Sequence, residues 1–238
     1  MMDTAARPYI EHQGSRRQYM RDMILGVNDG LVSIFLLVAG VVGGGLTATQ
    51  VLLAALAGAI AGAISMAAGE YMATKSQEEV FDRELRLERE HIKHHRDREL
   101  DELRDMLFDM GIRGDDLDRV VAIVGSDDDT LLHAMQALEF GLVESERRSP
   151  LRAMVLSGLL FMAGSLPAML PFAFTDSTST GLAWAAVLSG ISLFIVGAIK
   201  TISTGKNPLL SGSENLAIAI GGAVVSYFVG VGFELLVG

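Results

Sequence analysis

Residues 62–79, GAISMAAGEYMATKSQEE, decide the fold of this chain. The stretch begins as a helix that is hydrophobic enough for a membrane and ends in charged residues, with no Gly-Pro break between. Met66 and Glu70 are four residues apart in the apolar part, so they share one helix face. The stretch therefore predicts a membrane helix that presents a thioether and a carboxylate and continues into a charged, water-exposed segment.

The charged residues of the whole chain are segregated from its apolar residues. The 238 residues are 50% hydrophobic, with a mean hydropathy of +0.38, which is high for a soluble domain with 20% charge. All 19 Lys and Arg lie in three blocks, 7–21, 75–152 and 200–206. The absence of cysteine excludes disulfides and Cys-ligated zinc. The net charge of −10 argues against a nucleic acid partner.

Five apolar segments are each long enough to cross a bilayer as a helix, which takes about 20 residues. They lie near 23–45, 51–73, 151–174, 182–204 and 214–237. The predicted fold class is all-α: a polytopic membrane protein with five transmembrane helices and an acidic three-helix insert between helices two and three. The predicted parts are an N-terminal segment 1–22, helices one and two in 23–75, the insert 76–149, and helices three to five in 150–238.

The basic residues predict which side of the membrane each connection faces. If five spans alternate, all three basic blocks fall on one side, and the remaining connections and the C-terminus carry no Lys or Arg. The positive-inside rule then predicts a cytoplasmic N-terminus and insert and an outside C-terminus. The first twenty residues lack the apolar core of a cleavable signal. We therefore expect a multi-pass protein of the plasma (inner) membrane of a prokaryote.

Asp29 in the first span, with Met66 and Glu70 in the second, is predicted to line one entrance. At 1.5 Å per residue, Asp29 and Met66 both lie roughly 7–9 Å below the cytoplasmic boundary. A charge inside a span costs about 2.5–3.5 kcal/mol on insertion scales, so it usually faces a cavity or a partner. Alternatively, Asp29 caps its helix and Glu70 reaches the interface. Carboxylates combined with a thioether suit a borderline transition metal better than Mg²⁺ or Ca²⁺.

The insert carries a second candidate set of metal ligands. Its first helix, predicted over 76–110, places five residues at spacings of 3, 4, 4 and 3 on one face: Glu88, His91, His95, Glu99 and Glu102. Met135 and Glu139 are one turn apart in the third helix, and the sets could converge if the helices fold back on each other. A solvated charged face is the alternative. Glu88 and His91 also form one Glu-x-x-His motif, whereas a di-iron bundle site needs two.

The motifs resemble those of the vacuolar iron transporter family. The resemblance runs from about residue 17 to the end and is most specific in NDGLVS and SMAAGEYMATKSQEE. It implies a homodimer that moves Fe²⁺ out of the cytosol, often in exchange for protons, with Mn²⁺ as a recurrent second substrate. It implies no permanently bound cofactor, and Zn²⁺, Mn²⁺ and Co²⁺ are further ions that the chain could bind.

The resemblance also assigns roles to residues by position. Asp29, Met66 and Glu70 correspond to the transport pathway. The insert residues that correspond to the family's metal ligands are Glu88, Glu99, Glu102, Met135 and Glu139. His91 stands where the plant-type pattern has a further glutamate; an imidazole there lowers the negative charge of the site and makes binding sensitive to pH near 6–7. His95 is a possible additional ligand.

The sequence therefore predicts a secondary transporter, and not an enzyme, that exports Fe²⁺ from the cytosol with metal capture by the acidic insert. The expected partners are divalent metal ions, protons, the lipid bilayer and a second copy of the chain. A membrane-anchored metal sensor without transport, a ferroxidase-like protein, and a channel in place of an exchanger remain alternatives.

Overall fold

The computed structural model describes residues 16–139, 147–201 and 206–237, and all regular structure in these ranges is helical. The helices are α1 (Arg16–Gly43), α2 (Ala48–His94), α3 (Arg96–Asp109), α4 (Gly114–Val124), α5 (Asp128–Leu138), α6 (Pro150–Met169), α7 (Thr178–Ile199) and α8 (Pro208–Val237). A 3₁₀ turn, Leu170–Ala173, follows α6. The all-α prediction is confirmed for these residues. Most of the predicted N-terminal segment, residues 1–15, lies outside them.

Five helices are long and apolar enough to cross a membrane, which confirms the number of predicted spans; they are α1, α2, α6, α7 and α8. Helix α2 has 47 residues and is therefore about 70 Å long at 1.5 Å per residue. The hydrocarbon core of a bilayer is only about 30 Å thick. Helix α2 thus continues well beyond a bilayer, as the unbroken pattern of residues 62–79 predicts.

The chain divides into two compact units. The first comprises Met1–Tyr71 and Leu151–Gly238, and the second comprises Met72–Pro150. Helix α2 contributes its N-terminal part to the first unit and its C-terminal part to the second. The core of the first unit includes Val38 and Val51, which are both fully buried.

Glycines allow the helices of the first unit to approach backbone to backbone. A Cβ atom at Gly30 of α1 would overlap the carbonyl oxygen of Phe161 in α6. In the same way, a Cβ atom at Gly164 of α6 would overlap the carbonyl oxygen of Val27 in α1. The small-residue pattern in the spans therefore serves close packing, and it fixes the position of α1 against α6.

We expect Gly30→Ala to destabilise the first unit by about 2–3 kcal/mol, because its methyl group forces the two backbones apart. Gly221→Ala in α8 is the matched control, since a Cβ atom there has no neighbour within 4 Å. That control should be neutral or slightly stabilising, because alanine is the better helix former. Thermal unfolding in detergent compares the two variants, and equal stability would show that the approach at Gly30 is unimportant.

The second unit folds around an apolar core in which Leu103, Leu131 and Met135 are fully buried. The prediction of one continuous helix over 76–110 is wrong, because α2 ends at His94 and α3 begins at Arg96. The Arg96 guanidinium donates hydrogen bonds to the Asp128 carboxylate and to the carbonyl oxygen of Gly125. These bonds link the start of α3 to the start of α5 and to the residue that follows α4.

Candidate metal sites

A cavity of about 340 Å³ lies among α1, α2 and α6 of the first unit. Its lining residues are Asp29, Ser33, Ile34, Leu37, Gly58, Gly62, Ser65, Met66 and Phe161. The structure thus brings Asp29 and Met66 to one cavity, together with two serine hydroxyl groups. Glu70 lies one turn beyond Met66 on α2 and is not among the lining residues. The cavity offers a carboxylate and a thioether, a donor set for a borderline divalent metal.

Asp29 makes a hydrogen bond within its own helix. The Oγ atom of Ser33, one turn later, donates to Oδ1 of Asp29 over 3.0 Å. The Asp29 side chain stays exposed in the single chain, although α1 is one of the spanning helices. A carboxylate that faces hydrocarbon costs about 2.5–3.5 kcal/mol or more. In a bilayer, Asp29 therefore requires water, an ion or further protein beside it.

Asn215 joins three spanning helices next to Asp29, and sequence reasoning assigned it no role. Its Nδ2 atom donates to Oδ1 of Asn28 in α1 and to the carbonyl oxygen of Leu193 in α7, both over 2.8 Å. Because Asn28 directly precedes Asp29, this bridge fixes α1 at the cavity. An amide in an apolar span was a detectable signal, since such groups usually bond across helices. The sequence alone does not show that its partner is Asn28, which lies 187 residues earlier in the chain.

A second group of candidate ligands lies in the second unit. One ligand atom from each of Glu88, His91 and Glu99 lies within 4.8 Å of the others. The His91 Nδ1 atom is 3.4 Å from Oε1 of Glu99. In a straight helix, Glu88 and Glu99 would be about 16 Å apart along the axis. Their position on a common helix face is therefore not enough to bring the two carboxylates together. They can meet because the helix breaks at His95.

Both carboxylates of this group are almost fully buried, Glu88 at 2% exposure and Glu99 at 3%. Within the described part of the chain, Oε1 of Glu88 is buried without a hydrogen-bond partner. Burial raises the pKa of Glu88 from its ordinary 4.5 to about 8, and nearby carboxylates, Glu99 first, add to the rise. A divalent cation at this place would neutralise the repulsion and satisfy the unpaired oxygen.

The other predicted ligands lie at different distances from this group. The side chain of Glu139 is largely exposed to solvent. Its pKa is nevertheless raised, first by partial desolvation of the carboxyl group and next by the charges of Glu102 and Glu99. Both Glu102 and Glu139 are therefore electrostatic neighbours of the cluster. Met135 is fully buried in the apolar core of the unit. His95 lies at the helix break, with its ring centroid 6.4 Å from that of His91.

The raised pKa of Glu88 predicts how the stability of the metal-free chain depends on pH. A carboxyl group whose pKa is higher in the folded than in the unfolded state favours folding when protonated, so its contribution is lost as pH rises from about 4.5 to about 8. Glu88→Gln, which resembles the protonated acid, should match wild type near pH 5 and exceed its stability above pH 8. Thermal unfolding after chelation tests this, and parallel pH profiles for the two proteins would contradict it.

The protein is a polytopic membrane protein with two candidate sites for divalent metals. One is the cavity among the spanning helices, with its carboxylate and thioether, and the other is the buried cluster of carboxylates and an imidazole in the second unit. Comparison with known proteins agrees with this class of protein. The family model described as "VIT family" matches residues 20–231, so the chain belongs to the VIT family.

Three curated relatives illustrate the likeness. Vacuolar iron transporter 2 of Oryza sativa subsp. japonica is 34% identical over 210 residues, 88% of this chain and 85% of the relative. Vacuolar iron transporter 1 of Tulipa gesneriana is 33% identical, over 87% of this chain and 83% of the relative. Vacuolar iron transporter 1 of Arabidopsis thaliana is 32% identical, over 92% and 86%. These names confirm the predicted family and the prediction of a transporter and not an enzyme.

Proposed function

We propose that this protein is a secondary transporter that exports Fe²⁺ from the cytosol of a prokaryote, in exchange for protons. The observation that carries the proposal is the joint presence of Asp29 and Met66 in one cavity of the membrane-spanning unit. A membrane anchor has no need of a carboxylate inside a span, whereas an ion pathway does. The names of the relatives, which are iron transporters, favour iron as the substrate.

The direction of transport rests on the distribution of basic residues. All 19 Lys and Arg lie in the three blocks that alternation puts on one side. The positive-inside rule makes that side cytoplasmic, so the acidic second unit would face the metal supply of the cytosol. Its field would raise the local concentration of divalent cations. Glu88, His91 and Glu99 would then bind Fe²⁺, and Mn²⁺, Zn²⁺ and Co²⁺ as competing ions.

A homodimer is part of the proposal. The exposed Asp29 needs a cover in the bilayer, and the cavity that it lines is open on one side. Helix α2 exposes Ala61 and Ser65 on the side of this cavity, and Ser65 is one of its lining residues. A second copy placed against this face would shield Asp29 from lipid and close the cavity into a passage. Chemical crosslinking in native membranes through single cysteines at these positions tests the arrangement, since the chain has no other cysteine.

Two alternative functions, a metal sensor and a ferroxidase-like protein, predict different results from a transporter in the flux experiment described below. The buried ligand group of the second unit would also suit a membrane-anchored metal sensor. The Glu88–His91 pair would suit a ferroxidase-like protein, although the sequence offers only one such motif.

The test is Fe²⁺ flux into proteoliposomes under anaerobic conditions, with a pH dye inside. Uptake that dissipates a proton gradient supports the exchanger. Uptake without proton movement indicates a channel, and binding without uptake indicates a sensor. Oxygen consumption on adding Fe²⁺ in air would indicate the oxidase.

A further inference from the structure

The hydroxyl group of Ser33 has an unusual partner for a serine in a spanning helix. Such hydroxyls ordinarily donate to a backbone carbonyl one turn earlier. Ser165 in α6 does so, to the carbonyl oxygen of Phe161 over 2.8 Å, and Ser213 in α8 donates to that of Leu210 over 2.9 Å. Ser33 donates its single proton to a side chain instead, the Oδ1 atom of Asp29.

We propose that Ser33 is a positioning residue for transport: it holds the Asp29 carboxylate in the orientation that binds the metal ion in the cavity. The proposal rests on the proposed transport function and extends it to Ser33, the last residue of the NDGLVS motif, to which the sequence analysis assigned no role. Ser33 would act through Asp29 and would not be a ligand itself.

The geometry supports this role because both residues line the same cavity. The bond from Ser33 occupies one oxygen of Asp29 and leaves the other, Oδ2, for an ion. Among the described residues, Ser33 is the hydrogen-bond partner of that carboxylate. A carboxylate held in one rotamer loses less side-chain entropy when it binds an ion than a freely rotating one does.

The backbone of Asp29 is fixed independently of Ser33. The bridge from Asn215 to Asn28 ties the preceding residue of α1 to α7 and α8. Loss of the Ser33 hydroxyl should therefore release the Asp29 side chain and leave α1 in place. A hydrogen bond to a charged group has a strength that corresponds to about ten- to hundredfold in an equilibrium constant.

The test compares the dependence of proteoliposome flux on Fe²⁺ concentration for wild type and four variants. Ser33→Ala should raise the half-saturating concentration about tenfold or more and leave the maximal flux within about twofold. Ser33→Thr keeps the hydroxyl group and should restore wild-type behaviour. Ser213→Ala removes a hydroxyl whose hydrogen bond, within the described part of the chain, is to the backbone of its own helix, so it should behave like wild type.

Ser33→Cys separates positioning from direct ligation. A thiol is a weak hydrogen-bond donor but a good ligand for soft metals. If Ser33 positions Asp29, the cysteine variant should be as impaired as Ser33→Ala, for Co²⁺ as well as for Fe²⁺. Tighter Co²⁺ handling than wild type would overturn the proposal, and so would an unchanged half-saturating concentration in Ser33→Ala or a failure of Ser33→Thr to restore it. Absence of flux in wild type would instead remove the transport function, and the Ser33 role with it.

Discussion

Asp29→Asn should reduce Fe²⁺ flux by about 100-fold or more, to the level of protein-free liposomes. Asparagine has the same shape as aspartate and still accepts the hydrogen bond from Ser33, so the cavity keeps its form. The substitution removes the carboxylate charge from the cavity lining. Removing one charge from a desolvated ion contact costs about 3 kcal/mol, which corresponds to about 100-fold. Flux through proteoliposomes at several Fe²⁺ concentrations measures the loss.

Two controls make this result specific to transport. The variant should elute in gel filtration like wild type and unfold at a similar temperature, because the amide removes the insertion cost of a charge. Metal binding by the second unit should be unchanged, since Glu88, His91 and Glu99 lie in a separate compact unit. Flux at the wild-type level would exclude Asp29 from the pathway, whereas metal binding without flux in either protein would indicate the metal sensor.

The membrane part of the fold follows directly from the sequence because lipid leaves few solutions. A backbone in hydrocarbon must satisfy its own hydrogen bonds, so long apolar segments without charge become helices. The predicted boundaries were less accurate. Helix α8 begins at Pro208 and not near 214, because Pro is favoured in the first turn of a helix and the following polar residues are compatible with helix. Hydropathy identifies the segment of a helix that lies inside the bilayer, and it does not show where the helix itself begins or ends.

The break at His95 had no local signal. Neither Gly nor Pro stands at residues 91–99, and the charged residues there are compatible with a continuous helix. Arg96 at the start of α3 bonds to Asp128 and Gly125, some thirty residues later, and the spacing of residues within the helix does not reveal such partners. The spacing predicted a set of ligands that includes Glu88, His91 and Glu99, and the structure brings one ligand atom from each of the three close together. The spacing is an incomplete reason for this, because a shared face of a straight helix would leave the outer two about 16 Å apart.

In the membrane unit, the structure places Asp29 and Met66 at one cavity and leaves Glu70 out of its lining. Asp29 and Met66 lie at similar depth on two helices joined by a short connection, so geometry along the helices was enough to predict their meeting. The partners that hold α1 in place were not predictable in this way. The bridge from Asn215 depends on how α7 and α8 pack against α1, and the closeness of α6 depends on Gly30 and Gly164.

Glu99→Gln should weaken metal binding by the second unit on the order of 100-fold, about 2.7 kcal/mol. Glu99 is 3% exposed and contributes one of three converging ligand atoms. An amide oxygen is a weaker ligand and carries no charge to balance the cation. The same change should stabilise the metal-free chain above neutral pH, because the charge of Glu99 is, after burial, the first cause of the raised pKa of Glu88. Calorimetric titration with Mn²⁺ and thermal unfolding after chelation measure the two effects.

The opposite signs of these effects separate a metal site from an ordinary acidic surface. Glu79→Gln is the matched control: it removes one carboxylate from α2 of the same unit, where Glu79 is exposed and pairs with Lys75. If the acidic field alone attracted metal, both variants would weaken binding equally and only slightly, since exposed charges are screened by water and salt. If Glu99 is a ligand, only its replacement both weakens Mn²⁺ binding strongly and stabilises the empty unit. A variant that loses metal affinity and stability together would indicate that Glu99 supports the fold and does not bind the ion.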